Sequence, residues 1–183
     1  CSSAAAGADC ILNLSASPFD LGKAARRLHL LRGLTARTGL PIAYCNLVGG
    51  NDSLIFDGRS FALDGRGRVL GVAPGFVEAD LRVELPGSVL PGEPATQDVP
   101  AAFAPEPALE ARAALVLGIR DYLRKCGFQK AIIGLSGGID SALTAALAVE
   151  ALGPANVIGV AMPGPVSSLG SVTEALALAK RLG

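Results

Sequence analysis

The hydrophobic positions of this chain fall into short apolar runs and longer stretches with helical spacing, and the two kinds of segment alternate. Cys10-Ile11-Leu12-Asn13-Leu14 is a short apolar run after Gly7 and predicts a buried strand. Ser17-Pro18 ends it. Leu21, Ala24, Leu28, Leu31 and Leu34 then recur at helical spacing, which predicts a helix from about Leu21 to Thr38, stopped by Gly39-Leu40-Pro41. Pro41 to Val48 predicts a second buried strand. Shorter strands are expected at Leu54–Phe56, Ser60–Leu63 and Arg68–Val72, separated by Asp57-Gly58 and Asp64-Gly65, both dipeptides favoured in hairpin turns. Leu81–Leu85 predicts one more strand.

Residues 86–108 break this pattern. Pro86, Pro91, Pro94, Pro100, Pro105 and Pro107 remove backbone donors and fix φ, so the stretch reads as a semi-rigid extended linker and a domain boundary. Beyond it, Leu109, Ala113, Val116, Ile119 and Leu123 share one face of a helix predicted to run to Cys126. Ala131–Leu135 is expected as a strand, Asp140–Leu152 as a helix and Val157–Ala161 as a strand. A last helix is expected from Ser171 to Leu182, opened by Ser171-Val172-Thr173-Glu174 as a capping box. An α-β-α-β-α order predicts a parallel sheet covered by helices.

Composition narrows the class. Half of the 183 residues are hydrophobic and 17% are charged, so a packed core is expected, built on aliphatic residues because Trp is absent. Lys plus Arg equals Asp plus Glu at 16 each, which gives no electrostatic reason to expect nucleic acid or an anionic membrane as partner. No apolar run approaches the length of a membrane span. Cys1, Cys10, Cys45 and Cys126 form no C-x-x-C pair, and a single histidine cannot complete a zinc cluster with them. Cys10 and Cys45 read as buried reduced thiols, a usage that suits the cytoplasm. The basic residues Lys23, Arg26, Arg27, Arg32 and Arg37 read as a helix face turned to water or a neighbouring subunit, and His29 is assigned no role.

The strongest chemical signal is Gly134-Leu135-Ser136-Gly137-Gly138-Ile139-Asp140-Ser141, placed between an expected strand and an expected helix. The carboxyl end of a parallel strand is where α/β sheets bind ligands. Glycines let successive N–H groups turn toward an anion, and the following helix adds its positive end. Ser136 and Ser141 supply hydroxyl donors, and Asp140 is a candidate ligand for a magnesium ion that offsets phosphate charge. A Walker A loop is excluded because Ile139-Asp140 stands where Lys and Ser or Thr are needed. A dinucleotide fingerprint is excluded because Ser136 occupies the second glycine position. A Gly-rich turn with an acidic helix start is the plain structural alternative.

These residues resemble the SGGxDS pyrophosphate loop of the N-type ATP pyrophosphatases. The wider run GLSGGIDSALTAAL, followed by Asn156-Val157-Ile158-Gly159-Val160, Met162-Pro163 and Ser167-Ser168, is similar to the opening of the NAD⁺ synthetase domain. Val166 stands where that family usually has Tyr, and Leu169 replaces a usual polar or acidic residue. Upstream, Gly7-Ala8-Asp9, the run Asn13 to Phe19, Gly22-Lys23, the run Asn46 to Asp52, Phe56-Asp57-Gly58-Arg59-Ser60 and Leu63 to Gly67 resemble the segment after the nucleophile in nitrilase-type glutaminase domains. That domain order is the order of glutamine-dependent NAD⁺ synthetases.

The resemblance implies an α/β fold class: the C-terminal part of a nitrilase-type α-β-β-α sandwich at residues 1–85, the linker at 86–108, and the start of a Rossmann-like, parallel-sheet ATP-pyrophosphatase domain at 109–183. It implies ATP and Mg²⁺ as cofactors, with residues 134–141 on ATP and Asp140 on the metal. Glutamine would be held by Ser17 and Lys23, for which a turn hydroxyl and a solvated lysine are the plain alternatives. Ammonia released from glutamine would amidate deamido-NAD⁺ through an adenylate, in a parent expected to be a homo-oligomer. The catalytic Glu, Lys and Cys of the family would lie upstream of residue 1, and Cys1 stands too close to Gly7 to be that nucleophile. Both ends read as cut, so the isolated piece is expected to be inactive. A catalytically inactive ATP-binding or partner-binding remnant is the alternative.

Overall fold

The computed structural model describes residues 7–162 and 169–183, which divide into two compact units: one of residues up to 49 together with 54–114, the other of 50–53 together with 115–183. Cys1, Pro163, Val166 and Ser167-Ser168 lie outside the described residues, as does nearly all of the Ala-rich segment before Gly7.

In the first unit, strand β1 (Ile11–Ser15) leads through helix α1 (Lys23–Thr38) to β2 (Ile42–Asn46), which lies parallel to β1. The expected single strand from Pro41 to Val48 is instead two, because β3 (Val48–Asn51) leaves the sheet to pair with β4 (Leu54–Asp57). β5 (Phe61–Leu63) and β6 (Val69–Val72) complete a four-stranded mixed sheet in the order β1-β2-β5-β6. Asp57-Gly58 is not a hairpin turn. β4 and β5 belong to different sheets, and the left-handed backbone of Gly58 and Arg59 (φ 60° and 52°) carries the chain between them.

Asp64-Gly65 does turn β5 back on β6, and the Asp64 side chain holds that turn. Its carboxylate accepts the backbone N–H groups of Arg66 and Arg68 at 2.9 and 2.8 Å and the Arg68 Nε–H at 2.7 Å. Burial pushes the carboxyl upward, but these hydrogen bonds outweigh it and hold Asp64 below its ordinary value.

The core lies between α1 and one face of the sheet. Ala24 and Leu28 of α1 meet Tyr44, Phe61, Leu63 and Phe103. The Phe61 ring stands 5.1 Å from Tyr44 and 5.0 Å, edge-on, from Phe103. The opposite face is apolar yet bare along β1, where Leu12 is 71% and Leu14 83% exposed. Cys45 lies on that face and is exposed, not buried as its apolar surroundings suggested. Cys10 is half-buried.

Phe103 belongs to a 3-10 turn (Ala101–Phe103) inside the proline-rich stretch, and that stretch is laced to the first unit. Val89 and Gly92 donate to the carbonyls of Gly39 and Ala36, and Ala95 donates to Arg66. Leu81–Leu85 forms no strand; Leu81 and Val83 instead stand over Gly71, whose missing Cβ leaves them room. Helix α2 (Pro107–Lys125) follows, and the division between the units falls within it.

In the second unit, β7 (Ala131–Leu135) and β8 (Val157–Ala161) pair in parallel. Between them run α3 (Ile139–Leu152) and a short 3-10 turn, and α4 (Leu169–Leu182) comes last. Ser171 therefore lies inside the first turn of α4 and does not cap it. Leu135, Ala145 and Ala175 are the buried centre, joined by Ile133, Leu178 and Leu182. Within this unit the Gly50 N–H donates to the Asp121 carboxylate at 2.8 Å, and Lys125 Nζ donates to the Gly50 carbonyl.

Candidate functional site

β7 ends at Leu135 and α3 begins at Ile139, so only Ser136, Gly137 and Gly138 make the crossing. Such a tight strand-to-helix turn needs a residue in the left-handed region, and Gly137 supplies it with φ 80°. Glycine is required there a second time. A Cβ at residue 137 would lie 2.5 Å from the Ser171 carbonyl oxygen and 2.7 Å from its Cα, so α4 packs directly on the loop backbone.

The two serines brace the loop. Ser136 Oγ lies 3.1 Å from Ser141 Oγ and accepts the Gly138 N–H at 3.3 Å, while the Ser141 hydroxyl donates to the Gly138 carbonyl at 3.0 Å. Gly138 precedes the helix with extended backbone, and no side chain caps α3. Its first turn therefore presents free N–H groups and a partial positive charge beside two hydroxyls. Asp140 stands exposed in that same turn. The eight residues 134–141 are thus contiguous around one helix end, as their order in the sequence suggested.

A cavity of about 280 Å³ is lined by the loop residues Gly137, Gly138 and Ser141 together with Leu135, Ile139, Ala142, Leu178 and Glu174. The helix end and the two serine hydroxyls together supply donors suited to an anion.

No cluster of three or more His, Cys, Asp or Glu side chains that could hold a metal occurs among the described residues. A lone Asp140 does fit magnesium, which usually takes one or two carboxylates and completes its shell with water and substrate phosphate.

The first unit holds the other candidate pair. Lys23 opens α1, and its ammonium donates to the Pro18 carbonyl at 2.7 Å. Ser17 Oγ accepts the Nε–H of Arg27 at 3.2 Å, and its backbone N–H donates to the Asn46 side chain at 2.8 Å. Ser17 and Lys23 are therefore brought to one short segment, the Ser17-Pro18 turn.

Beneath that turn lies a network that the sequence did not announce. Arg27 is buried and donates both terminal nitrogens to Asp57, at 2.9 and 2.8 Å, in a bidentate pair. Arg59 lies 3.8 Å from the same carboxylate and pairs with Glu110 at 3.0 Å. Burial pushes Glu110 above its ordinary value, only partly opposed by the Arg59 charge. Arg32 is buried as well, donating to the carbonyls of Gly67 and Asp98. The basic residues of α1 thus divide: Arg26 and Arg37 are exposed, whereas Arg27 and Arg32 are buried on specific acceptors. The Tyr44 hydroxyl is buried close to Ser15 and Ser17, and burial pushes its pKa up. His29 is exposed.

Similarity to known proteins bears on both sites. A sequence model of the NAD synthase family matches residues 111–183, which include the whole loop. The chain is 50% identical over 179 residues to the glutamine-dependent NAD(+) synthetase of Synechocystis, covering 97% of this chain and 31% of that protein. It is 43% identical over 181 residues to the enzyme of the same name from Rhodobacter capsulatus, covering 98% and 32%. The solved structure of glutamine-dependent NAD+ synthetase from Acinetobacter baumannii, in complex with ADP, superposes on all of this chain and 34% of its own length, with a TM-score of 0.82 at 36% identity. The chain thus spans about a third of the length of the relatives it matches. The loop unit thus matches the NAD synthase family, and along nearly its whole length the chain is similar to a segment of glutamine-dependent NAD⁺ synthetases.

Proposed function

We propose that this chain forms the middle of a glutamine-dependent NAD⁺ synthetase, with a nitrilase-type glutaminase portion at residues 1–85 and the start of an ATP-pyrophosphatase domain at 109–183. The bare apolar face of β1 supports the first half of this reading, because an α-β-β-α sandwich needs a second sheet against the face that α1 leaves open. The parallel β7–β8 pair with its loop and α3 supports the second.

The observation that carries the proposal is the uncapped N-terminus of α3 behind Ser136-Gly137-Gly138. Residues 134–141 bind the phosphates of ATP, with backbone N–H groups and the Ser136 and Ser141 hydroxyls as donors. A pyrophosphate leaving group gains charge as the bond to the α-phosphate breaks, and donors fixed beforehand on a rigid helix end favour that state over the ground state. Asp140 would hold a magnesium ion, which would supply positive charge against the leaving phosphates. The nicotinate carboxylate of deamido-NAD⁺ is thereby activated as an adenylate, and ammonia from glutamine displaces AMP. In the glutaminase portion, Ser17 and Lys23 hold the substrate glutamine through a hydroxyl and an ammonium suited to its polar groups.

Asp140→Ala tests the loop. Titration of the full-length protein with ATP is expected to show that Mg²⁺ strengthens binding to the native form and no longer does so in the variant. Equal magnesium dependence in both would assign Asp140 to the helix start alone and favour an inactive remnant.

A further inference from the structure

We infer that Arg27 is the positioning residue of the glutamine site, fixing both the Ser17 hydroxyl and the Lys23 ammonium through a turn anchored on the buried Asp57 carboxylate. The inference rests on the reading of Ser17 and Lys23 as glutamine contacts and goes beyond it by naming what orients them. One guanidinium makes three links to residues 17 and 18. Its Nε–H donates to Ser17 Oγ at 3.2 Å, and one terminal nitrogen donates to the carbonyls of Ser17 and Pro18 at 3.1 and 3.2 Å. The Pro18 carbonyl is also the acceptor for Lys23. Because Ser17 Oγ accepts from Arg27, its own proton is left to donate elsewhere.

Arg27 itself has no freedom to drift. Asp57 grips it bidentately and is 1% exposed, and Asn46 ties the Ser17 backbone from the other side through its N–H and carbonyl. A structural ion pair would need only the Arg27–Asp57 contact. The three further donations into residues 17 and 18 are what a positioning role requires.

Arg27→Lys keeps the charge but loses the Nε donor and the planar fork. In the full-length protein the variant is expected to raise the KM for glutamine about 10-fold or more, since small misplacements of positioning groups carry costs of that order or larger. NAD⁺ formation driven by added ammonia, which bypasses the glutamine site, is expected to stay within about twofold. Ser17→Ala separately checks the underlying reading: an unchanged glutamine KM there removes the glutamine site itself. If Ser17→Ala raises KM and Arg27→Lys does not, the positioning role is overturned. A parallel fall in the glutamine- and ammonia-driven rates of Arg27→Lys would also overturn it, since the ion pair would then serve the fold alone. In the double variant, effects that multiply independently would show that Arg27 does not act through Ser17, whereas a combined effect smaller than that product supports the inference.

Discussion

Replacing Asp57 by Ala is expected to destabilise the first unit by about 3–5 kcal/mol, the range found when one partner of a buried ion pair is removed. The size follows from what remains. Arg27 would keep only carbonyl and hydroxyl acceptors for a charge that is 93% removed from water, Arg27 being 7% exposed. Arg59, whose Nε already lacks a hydrogen-bond partner, would lose the carboxylate 3.8 Å away. Glu110 stays paired with Arg59, so the site would carry an excess positive charge where it is now balanced, two guanidinium groups against two carboxylates. Asp57→Asn, which keeps an acceptor oxygen but no charge, is expected to fall between the two. Urea titration followed by tyrosine fluorescence checks this, and an Asp57→Ala change of less than about 1 kcal/mol, the size of an exposed ion pair, would contradict it.

The second large effect is expected at Gly137. An Ala there meets a left-handed backbone, which costs an L-residue roughly 1–2 kcal/mol, and also drives its Cβ against the Ser171 backbone. Backbone cannot swing aside as a side chain can, so the loop or the start of α4 must move. ATP affinity of the full-length protein is expected to fall about 100-fold, as fits donors displaced by the order of an ångström. Gly153→Ala is the control, because Gly153 has φ 83° but nothing within 4 Å of its absent Cβ. It carries the conformational cost without the collision and is expected to leave ATP binding unchanged. Equal binding by the Gly137→Ala form and the native protein would show that the loop does not grip the nucleotide.

The contrast between these two sites explains what could be read in advance. Residues 134–141 were legible because their chemistry is contiguous: strand, glycines, hydroxyls and helix start follow one another within a single turn. The Arg27 network was not, because Asp57 lies 30 residues away in the chain and the Arg32 acceptors Gly67 and Asp98 lie 35 and 66 away. On a helical wheel a buried arginine and an exposed one look alike until the acceptor is placed. The core positions Ala24 and Leu28 were read correctly from spacing, since apolar periodicity reports burial directly.

Turn chemistry was ambiguous for a related reason. At Asp57-Gly58 the glycine is left-handed and the chain changes sheet, whereas at Asp64-Gly65 the positive φ falls later, on Gly67, and the chain makes a hairpin. Which one forms depends on strand partners that a local dipeptide does not encode. Cys45 misled because alternation marks which residues share a sheet face but not whether that face is covered. Leu81–Leu85 has a strand's composition, yet it lies over the sheet near Gly71 and forms no strand.

The most direct measurement is the nucleotide balance of the reaction. The full-length protein, given deamido-NAD⁺, ATP, Mg²⁺ and glutamine, is expected to form AMP and pyrophosphate in equal amounts with NAD⁺, as an adenylate formed at the residue 134–141 loop requires. Formation of ADP and phosphate instead, or no ATP cleavage dependent on deamido-NAD⁺, would contradict the account.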